Sequence, residues 1–365
     1  MKILFLTTHA NTGGITSYIL TLGAALVKLG YKVFVVSSGG DSVPMMEAVG
    51  IQHIQMDIRT KSEIHPKLWL SLPVLKALIQ KEGINIIHAQ TRVTQVLGTV
   101  LSRLTGVRMI TTCHGFFKPR WFRKTFPCWG VAVIAISKPV SQHLSVDFGV
   151  SQKDVYLISN GIDLNRFVMT TEERRQEIRQ KMDFQDEPLV GIVARLSDVK
   201  GIDVLICAMP RILEAMPSVK LMIVGQGKEE ANLRKLVQDL SIKANVHFRD
   251  TIQQTQEILP AFDVFAMPSL MEGLGLSVME AQACGIPVVA SKVGGLVDLI
   301  DDGKSGYLVD ANDPMALADR ILDIFRNPEV SRAMAKEARH NIEKWFSSEI
   351  MVRETVQIYE QYSCC

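Results

Sequence analysis

A chain of 365 residues, 47% of them hydrophobic, can bury large cores, and its length points to two domains. The formal net charge of +2 argues against a protein that coats nucleic acid. No apolar run approaches the roughly 18 residues that a bilayer-spanning helix needs, and no C-x-x-C pair occurs, so neither a zinc site nor a disulfide framework is indicated.

The six cysteines are Cys113, Cys128, Cys207, Cys284, Cys364 and Cys365, and such usage fits a reducing cytosol. Cys364-Cys365 reads as a frayed tail rather than a lipidation site. The apolar run in Met1 to Thr8 is too short for a signal peptide and leads into a Gly-Gly turn. The small net charge conceals an asymmetry. Residues 1–165 hold 17 Lys and Arg against 8 Asp and Glu, a balance of +9, which leaves −7 for the rest. Like charge collected on one half suggests an interaction surface there.

In chain order, Lys2 to Leu6 reads as a strand, Gly13-Gly14 as a turn and Ile15 to Leu29 as a helix ended by Gly30. Strands follow at Lys32 to Val36, Ile84 to His88, Met109 to Cys113 and Val131 to Ile136. Continuous Ile, Val and Leu runs separated by helices indicate a parallel sheet covered on both faces, a doubly wound α/β domain. The pattern restarts after Asn160-Gly161-Ile162-Asp163 with a charged helix over Glu172 to Met182. Further strands are expected at Leu189 to Val193, Lys220 to Val224, Val246 to Phe248, Val264 to Ala266, Pro287 to Ala290 and Gly306 to Val309. Two Rossmann-like domains are therefore expected, 1–163 and 164–346. In open α/β sheets, ligands bind outside the carboxyl ends of the strands, so two such domains with facing ends would make one cleft.

The chemistry-bearing residues sit just after strands. Gly13-Gly14 lacks the G-x-G-x-x-G spacing of a dinucleotide fingerprint, yet a Gly-Gly at a helix N-terminus can donate N–H bonds to phosphate or a sugar hydroxyl; an ordinary tight turn is the plain alternative. His114 ends a strand and could hydrogen-bond a sugar hydroxyl; His9 is a second candidate. Arg195 and Lys200 are two cations suited to the charge that develops on a departing diphosphate. No D-x-D motif stands at a strand end, so no catalytic metal and no cofactor are expected. Gly225 and Gly227 flank Gln226 between a strand and a helix, either as a phosphate turn or as a simple connection. Glu272 and Glu280 lie eight residues apart across Gly273-Leu274-Gly275, one on a turn and one on the following helix. Such a pair could hold two hydroxyl-bearing parts of one extended ligand. The stretch Phe116 to Phe126 carries five aromatics and four cations with no acid. It suits an anionic membrane surface, or else it is a packed helix with a basic outer face.

The segment from Pro268 to Ala281 resembles the E-x7-E signature of GT4 retaining glycosyltransferases, which have the GT-B fold. Asn160-Gly161-Ile162-Asp163, Val193-Ala194-Arg195-Leu196 with Lys200-Gly201, Ile223-Val224-Gly225-Gln226-Gly227 and Gly294-Gly295 fall in the family's order. Leu274 stands where the family often has Phe, and Asp298 where it often has Glu. The resemblance implies an acceptor-side domain at 1–163, a donor-binding domain at 164–346 and a last helix, within 347–365, packed back on the first. It implies that Glu280 takes the nucleotide ribose and Glu272 the donor sugar, with Gly273, Leu274 and Gly275 offering N–H groups. The Gly13-Gly14 loop would close over the donor, and His114 would be the family's cleft-facing histidine. The implied reaction moves a hexosyl unit from a nucleoside diphosphate sugar, a UDP-sugar ahead of a GDP-sugar, to a saccharide or lipid-linked hydroxyl with retention. The setting would be cell-surface polysaccharide, lipopolysaccharide or glycolipid synthesis, in the cytoplasm or peripheral on the inner face of the membrane. Two rivals are a sugar-nucleotide 2-epimerase on the same fold and a non-catalytic sugar-binding protein.

Overall fold

The computed structural model describes residues 1–363; Cys364 and Cys365, the expected frayed tail, lie outside the described residues. The chain divides into two compact units, one running from Met1 to Gly161 and resuming at Ser348, the other from Ile162 to Ser347.

The first unit opens with β1 (Lys2–Leu6), α1 (Gly14–Lys28), β2 (Lys32–Ser37), α2 (Val43–Ala48), β3 (Gln52–Gln55) and α3 (Pro66–Glu82). It continues with β4 (Ile86–Ala89), α4 (Arg92–Thr105), β5 (Arg108–Cys113), α5 (Trp121–Thr125), β6 (Ala132–Ala135), α6 (Lys138–Phe148) and β7 (Val155–Leu157). Among the described residues these strands form a parallel sheet in the order β3-β2-β1-β4-β5-β6-β7. Alternate residues of a strand face opposite sides. Ile3 and Phe5 therefore join Tyr18, Leu22 and Leu26 of α1 in one core, while Leu4 and Leu6 join Leu75, Ile87 and Leu97 in another. Burial on both faces is why β1 reads as an unbroken apolar run.

The second unit contains α7 (Glu172–Lys181), β8 (Leu189–Val193), α8 (Ile202–Ala215), β9 (Lys220–Val224), α9 (Glu230–Asp239) and β10 (Val246–Arg249). After these come β11 (Val264–Met267), α10 (Leu276–Ala283), β12 (Val288–Ser291), α11 (Leu296–Leu299), β13 (Tyr307–Val309), α12 (Pro314–Arg326) and α13 (Pro328–Trp345). Its parallel sheet has the order β10-β9-β8-β11-β12-β13. In both sheets the chain reverses its direction of travel beside the first strand, between β1 and β4 and between β8 and β11. Ligands of open α/β sheets collect at such points.

Two strands escaped the sequence pattern. β3 reads Gln-His-Ile-Gln and β7 spans three residues, and each closes an edge of the first sheet, where one side needs no partner. Neither shows the continuous apolar run of a central strand.

The closing helix α14 (Ser348–Ser363) brings Met351, Ile358 and Tyr359 into the core of α1 and β1. Tyr359 also completes a buried polar chain. His88 on β4 bonds the Tyr359 hydroxyl through Nδ1 at 2.6 Å and the Thr112 hydroxyl through Nε2 at 2.7 Å, and Thr112 lies 3.1 Å from the Tyr18 hydroxyl. Burial pushes the His88 pKa down to about 3, so the ring is neutral and needs both partners. Tyr359→Phe should leave one buried ring nitrogen unpaired and cost the first unit about 1–3 kcal/mol. Urea unfolding followed through that unit measures the loss, and an unchanged midpoint would show that the bond carries no stability.

Candidate active site

In the second unit the expected cations stand at the carboxyl end of β8. Arg195 is exposed and has no hydrogen-bond or ion-pair partner among the described residues. The chain then makes a short turn over Asp198–Lys200 and reaches Gly201 at φ 59. A Cβ at Gly201 would overlap the carbonyl oxygen of Pro268, so glycine alone permits this approach of the loop after β8 to the loop after β11. The Leu270 N–H donates to the Val199 carbonyl at 2.9 Å and fastens the two loops. Lys200 and Glu272, far apart in sequence, thereby meet as an ion pair of largely buried side chains. The Ser269 hydroxyl stands 3.4 Å from the same Glu272 oxygen, and the Glu272 carbonyl accepts from the Gly295 N–H at 3.1 Å. The pair is neutral as a unit, whereas Arg195 carries a charge with no acidic partner among the described residues.

Gly225 and Gly227 answer a packing demand. Cβ atoms there would overlap the carbonyl oxygens of Ala194 and Leu196. With the side chains absent, Leu196 N–H donates to the Gln226 carbonyl at 3.0 Å and Glu229 N–H to the Leu196 carbonyl at 3.2 Å. The two glycines thus hold the backbone on both sides of Arg195.

Glu280 differs from Glu272 in its surroundings. It lies in α10, whose N-cap Gly275 has φ 106, with Leu274 buried just before it. Glu280 is buried and accepts from the Thr255 hydroxyl at 2.8 Å. Desolvation pushes its pKa up to about 7, against the opposing pull of that hydrogen bond and of the more distant Arg166. Thr255 had no signal of its own in the sequence.

In the first unit His114 follows β5. Its Nε2 lies 2.8 Å from Gln90 Oε1, and its ring meets Tyr18 edge-on at 4.9 Å between centroids. The Gln90 amide nitrogen donates to the His88 carbonyl at 3.4 Å, which turns the amide oxygen toward His114. Nε2 therefore carries the ring proton and Nδ1 remains an acceptor. Burial of the ring lowers its pKa to about 3, although the residue keeps some exposed surface. Gln90 was legible by the same rule as His114, since it stands directly after a strand. Gly13 and Gly14 begin α1 with open space around both, and no side chain caps the helix. His9 is engaged locally, its Nδ1 lying 3.3 Å from the Asn11 amide.

The aromatic-basic stretch forms α5, a helix of five residues with none buried. Trp121 is 75% exposed, and Phe122 and Phe126 are exposed as well. Arg123 stacks on the Phe117 ring, whereas Lys118, Arg120 and Lys124 have no partner among the described residues.

Two family models match the chain. One, described as glycosyl transferases group 1, covers residues 174–341, and the other, glycosyltransferase family 4, covers 12–166. The chain belongs to the GT4-type glycosyltransferases. It is 34% identical over 211 residues to the GDP-mannose-dependent monoacylated alpha-(1-6)-phosphatidylinositol monomannoside mannosyltransferase of Corynebacterium glutamicum. That match spans 56% of this chain and about half, 55%, of the relative's length. It is 24% identical over 379 residues to N-acetyl-alpha-D-glucosaminyl L-malate synthase of Bacillus anthracis, 97% of this chain and 95% of that protein. Its fold is that of Anabaena HepE, crystallised with UDP and glucose, at TM-score 0.88 and 21% identity, covering 99% of this chain and 100% of HepE. The glycosyltransferase is thus a GT-B fold of two parallel-sheet α/β units.

Glu280 supplies a pH test. Its pKa is raised in the folded state, so the folded protein holds a proton that the unfolded chain has lost between pH 4.5 and about 7. The stabilisation is complete below pH 4.5 and is lost as pH rises through about 7. The melting temperature of the ligand-free glycosyltransferase should therefore fall across this window, and Glu280→Gln should flatten the fall.

Proposed function

We propose that this glycosyltransferase moves a hexosyl unit from a UDP-sugar to a hydroxyl acceptor with retention of anomeric configuration. The observation that carries this reading is the pair of cations after β8, one of them held by the carboxylate after β11. Arg195 is unpartnered, and Lys200 is oriented by Glu272. In the reaction, the acceptor oxygen bonds to the anomeric carbon on the face the phosphate leaves. The bond from that carbon to the phosphate oxygen breaks, and its electron pair departs with UDP. The hydroxyl proton passes to the departing phosphate oxygen, and attack on the leaving face retains configuration. Arg195 and Lys200 stabilise the charge that grows on the diphosphate, the part a metal ion plays elsewhere. Glu272 accepts from a donor-sugar hydroxyl while still orienting Lys200, and Glu280 accepts from the ribose hydroxyls. Neutral His114 offers Nδ1 to a sugar hydroxyl, which a charged ring could not do.

HepE, similar over its whole length, was crystallised with UDP and glucose, and this supports UDP as the nucleotide. Two relatives whose names specify GDP-mannose each match over about half their length. The product would be a cell-surface polysaccharide, lipopolysaccharide or glycolipid, made on the inner face of the membrane. No helix among the described residues is long and apolar enough to cross a bilayer. The exposed aromatics of α5 and its free cations would make the surface contact.

Arg195→Ala and Lys200→Ala should each lower turnover by about 10²–10³ with the fold intact. Initial rates of UDP release, with circular dichroism as the folding control, test this, and EDTA should leave the wild-type rate unchanged. Near-normal rates in both variants would remove the cation clamp. For the membrane, each cation near an anionic surface is worth about 1 kcal/mol, so Lys118→Ser/Arg120→Ser/Lys124→Ser should weaken sedimentation with anionic vesicles about a hundredfold at low salt.

A further inference from the structure

α3 is apolar on two opposite faces. Leu68, Leu75 and Ile79 point into the core, while Trp69, Leu70 and Val74 stand exposed, Leu70 at 77% and Val74 at 59%. Exposed Pro66, Pro73 and Ala77 fall on the same outer stripe, at the three- and four-residue spacing of one helical face. A helix that only covered this core would turn polar residues outward. Lys67 and Lys76 border the stripe on either side, with Lys81 on its last turn. Lys67 is matched by Asp57 at 2.8 Å, and Lys76 and Lys81 have no partner among the described residues. An exposed apolar stripe between cations is the pattern of a helix lying in a lipid headgroup layer.

The stripe is joined to α5 through one buried side chain. Arg92 Nε lies 3.0 Å from Glu63 Oε1, and its terminal nitrogens donate to the Phe126 carbonyl at 2.7 Å and the Pro127 carbonyl at 2.5 Å. Glu63 directly precedes Ile64, which is 68% exposed and whose carbonyl accepts from the Trp69 indole at 3.3 Å. Arg92 thus fixes the start of α3 beside the end of α5, within one unit.

We propose that α3 and α5 form one docking surface for an anionic lipid bilayer, with the outer stripe of α3 as the inserted part and the cations of α5 as the attracting part. Charge selects this occupant. Lys61, Lys76, Lys81, Lys118, Arg120 and Lys124 are all without an acidic partner among the described residues, and a bilayer answers them with a uniform negative surface. The proposal deepens the membrane contact named under Proposed function and rests on it for its purpose.

The test uses the full chain with phosphatidylcholine vesicles that do or do not contain phosphatidylglycerol. Leu70→Gln/Val74→Gln changes only exposed positions and keeps good helix formers. It should lower partition onto anionic vesicles by about tenfold or more, make the residual binding fully reversible by salt, and leave transfer to a soluble acceptor at the wild-type rate. The triple α5 variant should lose the low-salt attraction instead. Wild-type partition of the α3 double variant would overturn the inserted stripe while leaving α5 as the contact. Failure of the wild type to bind anionic vesicles would overturn the whole surface, with the transfer assay still able to uphold the donor chemistry. A wild-type dimer that dissolves in the double variant, with vesicle binding unchanged, would overturn the proposal in favour of a second copy of this chain on that face.

Discussion

The second unit's site depends on backbone segments that touch where side chains normally keep them apart. Gly201 lies against Pro268, Gly225 against Ala194, Gly227 against Leu196 and Gly295 against Gly273. These contacts lock together the loops after β8, β9, β11 and β12, all at the carboxyl end of one sheet. Lys200 and Glu272 meet only because the first contact brings their loops together, and Arg195 is displayed on a segment bonded along both flanks. Charged groups held in this way need little reorganisation when charge develops beside them.

The two glutamates show how far environment separates identical side chains. Glu272 has a cation against it, and the ionised form is the one that can make that pair. Glu280 has the Thr255 hydroxyl and a more distant arginine, and burial outweighs both and raises its pKa to about 7. One is paired with a lysine, while the other can change charge near neutrality. The sequence shows their separation along the chain, but not that Lys200 reaches one and Thr255 the other.

What could be read in advance divides along physical lines. Central strands such as β1, β8 and β9 are buried on both faces, so their composition announces them; β3 and β7 lie at an edge and do not. Residues after strands, among them His114, Arg195 and Glu272, were legible because sheet topology makes those positions special. Gly225 and Gly227 were seen, but their reason, the overlap with Ala194 and Leu196, is a tertiary fact. Tyr359 could not be linked to His88 from sequence, since 271 residues separate them. The outer stripe of α3 was hidden for a different reason. With both faces apolar the helix shows little amphipathic contrast, and only the fold reveals which face the core leaves uncovered.

The charge asymmetry between the halves acquires a location from the same structure. If the +9 of residues 1–165 served a ligand at the strand ends of the first unit, cations should stand there. The groups directly after β4 and β5 are nonetheless an amide, Gln90, and an imidazole, His114. His88 and His114 have pKa values near 3, and Gln90 lies between them. Neutral His114 can exchange a hydrogen bond with a sugar hydroxyl but cannot hold a diphosphate by charge, and both nitrogens of His88 are already engaged. The positive charge lies instead on the outside, around α3 and α5, where Lys76, Lys81, Lys118, Arg120 and Lys124 face water without acids. The first unit thus has neutral hydrogen-bonding groups directly after β4 and β5, and exposed cations around α3 and α5. The second unit carries a net −7 in sequence yet places Arg195 and Lys200 at the carboxyl end of β8. The proposed anion binding thus rests on the second unit's cations after β8, and the proposed attraction to an anionic surface on the first unit's exposed cations.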